Sequence, residues 1–137
     1  MPLVLDTSLT LAWLLPDEAS DAAEAVLSQA LTGREALLAP SLWLYGTANA
    51  LVSARRRGRL TDAQVTQTVE LLEALDVQTP ERPAARAVLV ATSLRTGLSA
   101  YDASYLVLAE TSGCPLATLD AKLAQAARDS GVEVLGG

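Results

Sequence analysis

The sequence predicts a single α/β domain over residues 1–137, built on a mainly parallel sheet of about five short strands. Two observations predict this class. Short apolar runs without polar alternation recur along the chain, which is typical of strands buried on both faces of a parallel sheet. A longer segment with helical periodicity follows most of these runs. Half of the residues are apolar, so a chain of this length can bury a core without disulfides.

The elements follow one another in regular alternation. Pro40 and Pro80 close two of the strands, and Pro16, Gly58 and Gly97 end helices. Ser41, Thr61 and Ser99 are predicted to cap helices, and Gln64 stands at the capping-box position after Thr61. The predicted strands are 3–5, 36–39, 77–79, 115–119 and 132–135. The predicted helices are 8–15, 18–31, 41–57, 61–75, 83–95, 99–111 and 120–128.

Composition excludes several classes of function. The chain has no histidine and one cysteine, which excludes Ser-His-Asp and Cys-His catalysis, histidine-ligated zinc and an intrachain disulfide. The formal net charge is −6, from 10 basic and 16 acidic residues, whereas nucleic-acid binders usually carry a basic face. An acidic site that holds divalent cations would still attract phosphate groups, because the bound cations make the site locally positive.

The sequence also predicts a cellular location. The N-terminal MPLVLDTS lacks a basic region followed by an apolar stretch, so no signal peptide is expected. No apolar run reaches the roughly 18 residues that a membrane helix requires. We therefore expect a cytoplasmic protein without a membrane partner. Only two tryptophans and three tyrosines are present, so stacking platforms for single-stranded RNA are few.

Three aspartates stand where functional sites form in parallel sheets. Asp6 follows the first predicted strand, Asp120 follows the fourth, and Asp102 lies in the first turn of the helix that Ser99 caps. Each alone is explained as a helix cap or a first-turn acid. Together they are expected to converge at the carboxyl edge of the sheet, where a cation must offset their repulsion. Because all ligands would be hard oxygens, the expected ion is Mg²⁺ or Mn²⁺.

Four motifs in register resemble a known family. VLDTS, APSLWLYGTANAL, LSAYDASYLVLA and ATLDAKLAQAA look like a PIN domain of the VapC toxin type, and the resemblance covers nearly the whole chain. It implies a three-layer α/β/α domain and an endoribonuclease that uses Mg²⁺ or Mn²⁺. It also implies a homodimer, an RNA substrate and a cognate VapB-type antitoxin. By this resemblance Asp6, Asp102 and Asp120 are the catalytic metal ligands.

Further residues are assigned around these carboxylates. Asn49 matches an asparagine that family members carry on the same helix, although local hydrogen bonding explains it equally well. Thr7, Ser8 and Thr118 can orient the carboxylates, but capping and turn formation are the simpler roles for them.

Gly46 departs from the family pattern, because family members have a glutamate at this position. A glycine inside a helix costs about 1 kcal/mol relative to alanine. It is explained either by a close helix contact or by an inactivating substitution, natural or introduced. We favour the inactivating substitution. Two alternatives to an active ribonuclease follow: a degenerate PIN module that only binds antitoxin or RNA, and a receiver-like phosphoryl-accepting domain. The receiver is disfavoured because Thr7 follows Asp6 and no aspartate follows the third strand.

Other features have two interpretations each. The arginines at 55, 56, 57 and 59 either complement a helix dipole or contact RNA phosphates. Tyr101 and Tyr105 are expected to pack rather than to stack on substrate. The large apolar residues of the early helices are predicted mainly as core, with some forming a groove for an antitoxin helix or a second copy: Trp13, Leu14, Leu42, Trp43 and Tyr45.

Overall fold

A computed structural model of the protein describes residues 2–137. The strands β1 (Leu3–Leu5), β2 (Leu37–Leu38), β3 (Leu116–Ala117) and β4 (Val134–Leu135) form one sheet in the order β2-β1-β3-β4. All three pairings are parallel, as the sequence predicted. Because β2 and β3 lie on opposite sides of β1, the strand order reverses direction at β1. The carboxyl end of β1 is therefore the position where ligands bind in sheets of this kind.

Seven α-helices surround the sheet. They are α1 (Thr7–Leu14), α2 (Asp21–Thr32), α3 (Leu42–Arg56), α4 (Asp62–Ala74), α5 (Arg86–Thr96), α6 (Ala100–Ser112) and α7 (Ala121–Asp129), with a 3₁₀ turn at Pro16–Glu18. Every residue of β1 is buried, which requires helices on both faces of the sheet and agrees with the expected three layers. Within residues 2–137, no helix is both long and apolar enough to cross a membrane.

The predicted third strand is reduced to a single bridge. Gln78 pairs with Leu38 in parallel, so residues 77–79 lie next to β2 at the edge of the sheet but form one isolated bridge instead of a strand. The reason is local: Asp76 has a left-handed backbone, with φ 51°, and Pro80 has no N–H to continue the pairing. The sheet has four strands where about five were expected.

Two helix starts and one helix cap differ from the prediction. Ser41 itself has helical backbone angles and makes no capping bond, so it cannot act as the predicted N-cap of α3. The predicted helix 18–31 begins instead after Ser20, whose hydroxyl accepts from the Ala23 N–H. The helix expected from Pro83 begins at Arg86. The capping box of Thr61 and Gln64 is present as predicted.

The core lies between the sheet and the helices that cover it. Its largest fully buried side chains are leucines, among them Leu3, Leu5, Leu9, Leu106 and Leu116. A smaller cluster of Leu15, Leu51, Ala54 and Leu60 joins α1 to α3 and to the turn before α4. Burial of each such leucine contributes about 1.5–3 kcal/mol, so these contacts fix the sheet edge on which the aspartates stand.

Trp43 is a core residue. Of the other large apolar side chains of the early helices that the sequence predicted mainly as core, three are partly buried and one is exposed: Trp13, Leu14 and Leu42, and Tyr45. The indole N–H of Trp43 donates to Thr10 Oγ1 at 3.0 Å, and Thr10 in turn donates to the carbonyl of Asp6 at 2.7 Å. This chain of bonds ties α3 to the first turn of α1. Both Trp43 and Thr10 are buried, so the interaction is shielded from water.

Trp43→Phe is expected to lower the free energy of unfolding by roughly 1–3 kcal/mol, because it removes a buried hydrogen bond and leaves unfilled volume. Urea denaturation measures the change. Trp13→Phe is the matched control, since Trp13 is only partly buried, and it should cost less. Equal losses in the two variants would show that the bond to Thr10 contributes nothing specific.

Candidate active site

Asp6 stands at the carboxyl end of β1 and caps α1. Its Oδ1 accepts from the Leu9 N–H at 3.0 Å, and the Ser8 hydroxyl donates to both carboxylate oxygens at 2.8 and 2.9 Å. The side chain is almost completely buried, with 4% of its surface exposed. Asp6 can therefore cap α1 and also belong to a functional site, because its carboxylate lies at the edge of the sheet where such sites form.

Two hydroxyl groups connect Asp6 to the segment after β3. Thr118 Oγ1 donates to Asp6 Oδ2 at 2.5 Å and accepts from the Asp120 N–H at 3.0 Å. Ser8 Oγ accepts from the Leu119 N–H at 3.1 Å while it donates to Asp6. Both bridges exist because β1 and β3 are adjacent and in register, with Leu5 opposite Ala117. The geometry therefore gives Ser8 and Thr118 the orienting contacts that the sequence suggested.

Asp120 begins α7, and its Oδ1 accepts from the Leu123 N–H at 2.8 Å. The side chain is exposed at the surface beside Asp6. Asp102 lies in the first turn of α6 and is partly buried. The Ser99 hydroxyl accepts from the Asp102 N–H at 3.1 Å, but the reciprocal bond of a capping box is absent from residues 2–137, which leaves the Asp102 carboxylate available for other contacts.

The three aspartates interact electrostatically through Asp120. Burial raises the pKa of Asp6 above its ordinary value, against the lowering effect of bonds from Thr118, Leu9 and Ser8, and the charge of Asp120 adds to the rise. Burial and the Asp120 charge also raise the pKa of Asp102, while Ser99 and Lys122 lower it. Lys122 is a cation at this edge that the sequence pattern did not single out. It lies one turn into α7, and only the fold brings it near Asp102.

The arrangement is an open acidic edge rather than a closed metal cage. Within the described part of the chain, no three side chains among the aspartates, glutamates and cysteine converge closely enough to hold an ion together. The donors are nevertheless all carboxylate oxygens, and their mutual charge favours a cation. Mg²⁺ usually keeps several waters and takes one or two protein carboxylates. The donor set therefore fits a water-rich Mg²⁺ or Mn²⁺, with Asp120 and Asp102 as the more accessible ligands.

Gly46 lies against the first residue of α1. An added Cβ would stand 3.1 Å from Thr7 Oγ1, tighter than an ordinary contact. The Thr7 hydroxyl is in turn hydrogen-bonded to the hydroxyl of Tyr105 at 3.0 Å, and burial raises the pKa of that tyrosine to about 12. The close contact named in the sequence analysis as one explanation of Gly46 is therefore real. It shows that Thr7 occupies the space beside the backbone from which a glutamate would extend.

The remaining assigned residues lie at different distances from this edge. Asn49 is exposed one turn along α3 from Gly46, and its role as a site residue stays a prediction. Two of the clustered arginines are engaged in exposed ion pairs: Arg55 pairs with Asp62, and Arg59 pairs with Asp17 and Glu18. Tyr105 packs in the core as expected. Tyr101 does not, since 69% of its surface is exposed.

Thr118→Val is expected to lower the free energy of unfolding by about 1–3 kcal/mol, because the Asp120 N–H loses its acceptor and Asp6 loses a donor. It should also raise the pKa of Asp6 further, since the bond from Thr118 is the largest of those that lower it. NMR titration of the Asp6 carboxyl checks the second effect. Thr111→Val, which removes a hydroxyl bonded only to carbonyls of its own helix, is the control. An unchanged Asp6 titration in Thr118→Val would contradict the expectation.

Comparison with known proteins identifies the class to which this fold and edge belong. The family model described as PIN domain matches residues 3–129, so the chain belongs to the PIN domain family. The chain is 36% identical over 129 residues to Ribonuclease VapC3 of Pyrobaculum aerophilum, an alignment that covers 91% of this chain and 94% of that protein.

Solved structures agree in fold. PAE2754 from Pyrobaculum aerophilum matches with a TM-score of 0.73 and 24% identity, over 98% of this chain and 83% of that one. FitAcB from Neisseria gonorrhoeae matches with a TM-score of 0.63 and 19% identity, over 97% and 96% of the two chains.

Proposed function

We propose that the protein is a Mg²⁺- or Mn²⁺-dependent endoribonuclease, acting as the toxin of a type II toxin–antitoxin pair. The observation that supports this most is the placement of Asp6 and Asp120 at adjacent strand ends, joined through Thr118 and electrostatically coupled to Asp102. The relationship to a VapC ribonuclease supplies the substrate class. The residues would act as one acidic edge, although they lie far apart in sequence.

Each residue of the edge would have a distinct part in the reaction. Asp120 and Asp102 would hold the ion, and the buried Asp6 would be the third carboxylate next to it, at the end of β1. When bound, the ion would stabilise charge on the phosphate and favour ionisation of water. Ser8 and Thr118 would hold Asp6 in a fixed orientation, because each donates to its carboxylate while anchored by a backbone N–H. Lys122 would offset part of the negative charge and attract the phosphate backbone.

The proposed partners are an RNA substrate, a VapB-type antitoxin and a second copy of the chain. An apolar surface suited to protein contacts is present on α5, where Leu94 is 82% exposed and Val88 and Val90 are close to half exposed. The early-helix surface that the sequence suggested is open only in part, because Trp43 is enclosed in the core while Tyr45 is exposed.

One observation favours a second function, that of a PIN module that binds without cutting. Because position 46 is glycine and not the glutamate of the family pattern, the acidic edge lacks one negative charge and one or two oxygen ligands. Mg²⁺ can still bind through the remaining carboxylates, but the position of an attacking water depends on every ligand. We infer that this chain cuts RNA slowly or not at all.

A metal-dependent RNA cleavage assay tests the proposed function. The chain should cut single-stranded RNA in Mn²⁺, should stop when EDTA is added, and should lose activity as Asp102→Asn. Asp21→Asn, which alters an exposed carboxylate on α2 far along the chain from the edge, is the matched control and should cut normally. Binding of RNA or antitoxin without any metal-dependent cleavage would instead assign the chain to the non-cutting module.

A further inference from the structure

We propose that a cavity beside the acidic edge binds an unstacked base of single-stranded RNA between Tyr45 and Tyr101. The inference rests on the proposed function, because it names a specific contact with the same substrate. It adds a binding site that neither the metal nor the carboxylates explain. Three observations support it: the shape of the cavity, the exposure of the two rings, and the position of the cavity relative to Asp102.

The cavity has a volume of about 580 Å³ and is lined by the start of α3, residues 79–84, α5 and α6. That volume is within the range of roughly 300–1,000 Å³ in which small ligands are bound. Its walls are mostly apolar, with Leu42, Leu89 and Leu108 contributing aliphatic surface. A flat, partly apolar group with polar edges matches such a lining better than a compact ion does, and a nucleobase has that character.

Both tyrosines are unusually exposed for aromatic residues. Tyr45 and Tyr101 each expose 69% of their surface, whereas Tyr105 is almost fully buried. The two exposed rings line the same cavity although they are far apart in the sequence, on α3 and α6. An exposed aromatic ring provides a stacking surface for any base. Packing, which the sequence predicted for Tyr101, does not account for its position.

Two residues that line the cavity are direct sequence neighbours of residues at the acidic edge. Tyr101 immediately precedes Asp102 in the first turn of α6, and Tyr45 immediately precedes Gly46 on α3. A strand of RNA whose phosphate lies at the carboxylates therefore has a base within reach of the cavity. The Ser104 hydroxyl, which also lines the cavity, donates to the carbonyl of Tyr101 at 2.5 Å within α6.

Charge at the rim favours a nucleotide over an uncharged apolar ligand. Arg82 lines the cavity and forms no ion pair within 4.0 Å with an acidic group of residues 2–137. Its guanidinium can contact a phosphate next to the stacked base. Glu81 lies beside it and offsets part of this charge, so the stacking surfaces, more than the rim, should determine affinity.

RNA binding in EDTA tests the proposal separately from cleavage. The probe is a short fluorescein-labelled single-stranded RNA, and fluorescence anisotropy gives Kd. Tyr101→Ala and Tyr45→Ala should each weaken binding by roughly 10- to 100-fold, as expected for loss of one stacked base. Tyr101→Phe keeps the ring and should bind nearly as the unaltered chain does. Leu71→Ala, at an exposed apolar residue of α4 outside the cavity, is the control and should not change Kd.

Three outcomes overturn the proposal. Equal RNA affinity in the unaltered chain and both alanine variants would remove the cavity from the binding site, even if metal-dependent cleavage is intact. Equal loss in Tyr101→Phe and Tyr101→Ala would show that the hydroxyl, not the ring, is needed. Light scattering that shows a dimer dissociating in Tyr101→Ala, with RNA affinity unchanged, would assign the cavity to a second copy. Ring-dependent RNA binding without metal-dependent cleavage would support the cavity while rejecting the ribonuclease function.

Discussion

Gly46→Glu is expected to speed Mn²⁺-dependent RNA cleavage by roughly 100-fold, because small errors in the placement of reacting groups have effects of that size. The added carboxylate would restore the ligand that the family pattern has at this position and should raise Mn²⁺ affinity in parallel. Stability should change little. Better helix propensity contributes up to about 1 kcal/mol, while carboxylate repulsion in the metal-free protein opposes it. Initial rates at saturating Mn²⁺ give the comparison.

The contact with Thr7 determines the controls for this experiment. Gly46→Gln has the shape of the glutamate without its charge, and Gly46→Ala adds only the Cβ that stands 3.1 Å from Thr7 Oγ1. Neither should gain activity. If the contact holds a new side chain in the wrong place, the double variant Gly46→Glu/Thr7→Ala should be faster than Gly46→Glu alone. If the unaltered chain already cuts as fast as Gly46→Glu, the missing-ligand argument is wrong and Gly46 is a packing residue.

Asp6→Asn is expected to have opposite effects on activity and on stability. Cleavage should fall by at least about 100-fold, because the buried charge at the strand end is lost from the edge. Stability near neutral pH should rise in the absence of metal. The raised pKa of Asp6 means that burial opposes the ionised form more than its hydrogen bonds favour it. Asparagine has the same shape, carries no charge and keeps one oxygen to accept from the Leu9 N–H. Its amide N–H can donate to Thr118 Oγ1, which reverses the bond that Thr118 donates to Asp6.

The sign of the pH dependence follows from the same shift. Because the folded pKa of Asp6 lies above its ordinary value of 3.8, the metal-free protein should become more stable as pH falls through the folded value. The gain should be complete below the unfolded value. Asp6→Asn should lose this part of the pH dependence. Asp17 acts in the opposite sense, because the bond from Arg59 lowers its pKa, so its contribution to stability is lost as pH falls. Asp17→Asn should therefore remove a loss of stability at acid pH.

Urea denaturation in EDTA from about pH 7 down to about pH 2 measures these slopes, because the Asp6 effect lies above the ordinary value of 3.8 and the Asp17 effect lies below it. The raised pKa of Asp102 predicts a residual increase in stability toward acid pH in the Asp6→Asn protein. Identical slopes in the unaltered chain and in Asp6→Asn would contradict the argument that the Asp6 carboxylate is held at a cost to folding.

The sequence predicted the sheet and the position of its acidic edge because both depend on local patterns. Apolar runs define Leu3–Leu5 and Leu116–Ala117 as buried strands, and the caps Asp6 and Asp120 follow from the turn into the next helix. The adjacency of those two strands joins the caps into one site. The sequence pattern could not predict which residues of the two strands lie opposite each other. The hydrogen bonds through Ser8 and Thr118 depend on that register.

Three features could not be determined from local sequence patterns. Ser41 has the residue type of a helix cap, but its own backbone is helical. Tyr101 and Tyr105 lie one turn apart on α6 and look equivalent in sequence, yet only Tyr105 faces the core, where it meets Thr7. The contact between Gly46 and Thr7 joins α3 to α1, and no local pattern distinguishes it from a lost ligand.

The most direct test of the account is to locate bound Mn²⁺ by anomalous scattering from crystals of the unaltered chain soaked in that ion. We expect a peak at the carboxyl edge of β1 and β3, within coordination distance of carboxylate oxygens from at least two of Asp6, Asp102 and Asp120. Water should complete the coordination on the side of Gly46. A peak bound elsewhere, or an edge without Mn²⁺ at a concentration that saturates cleavage, would contradict the assignment of these aspartates as the metal site.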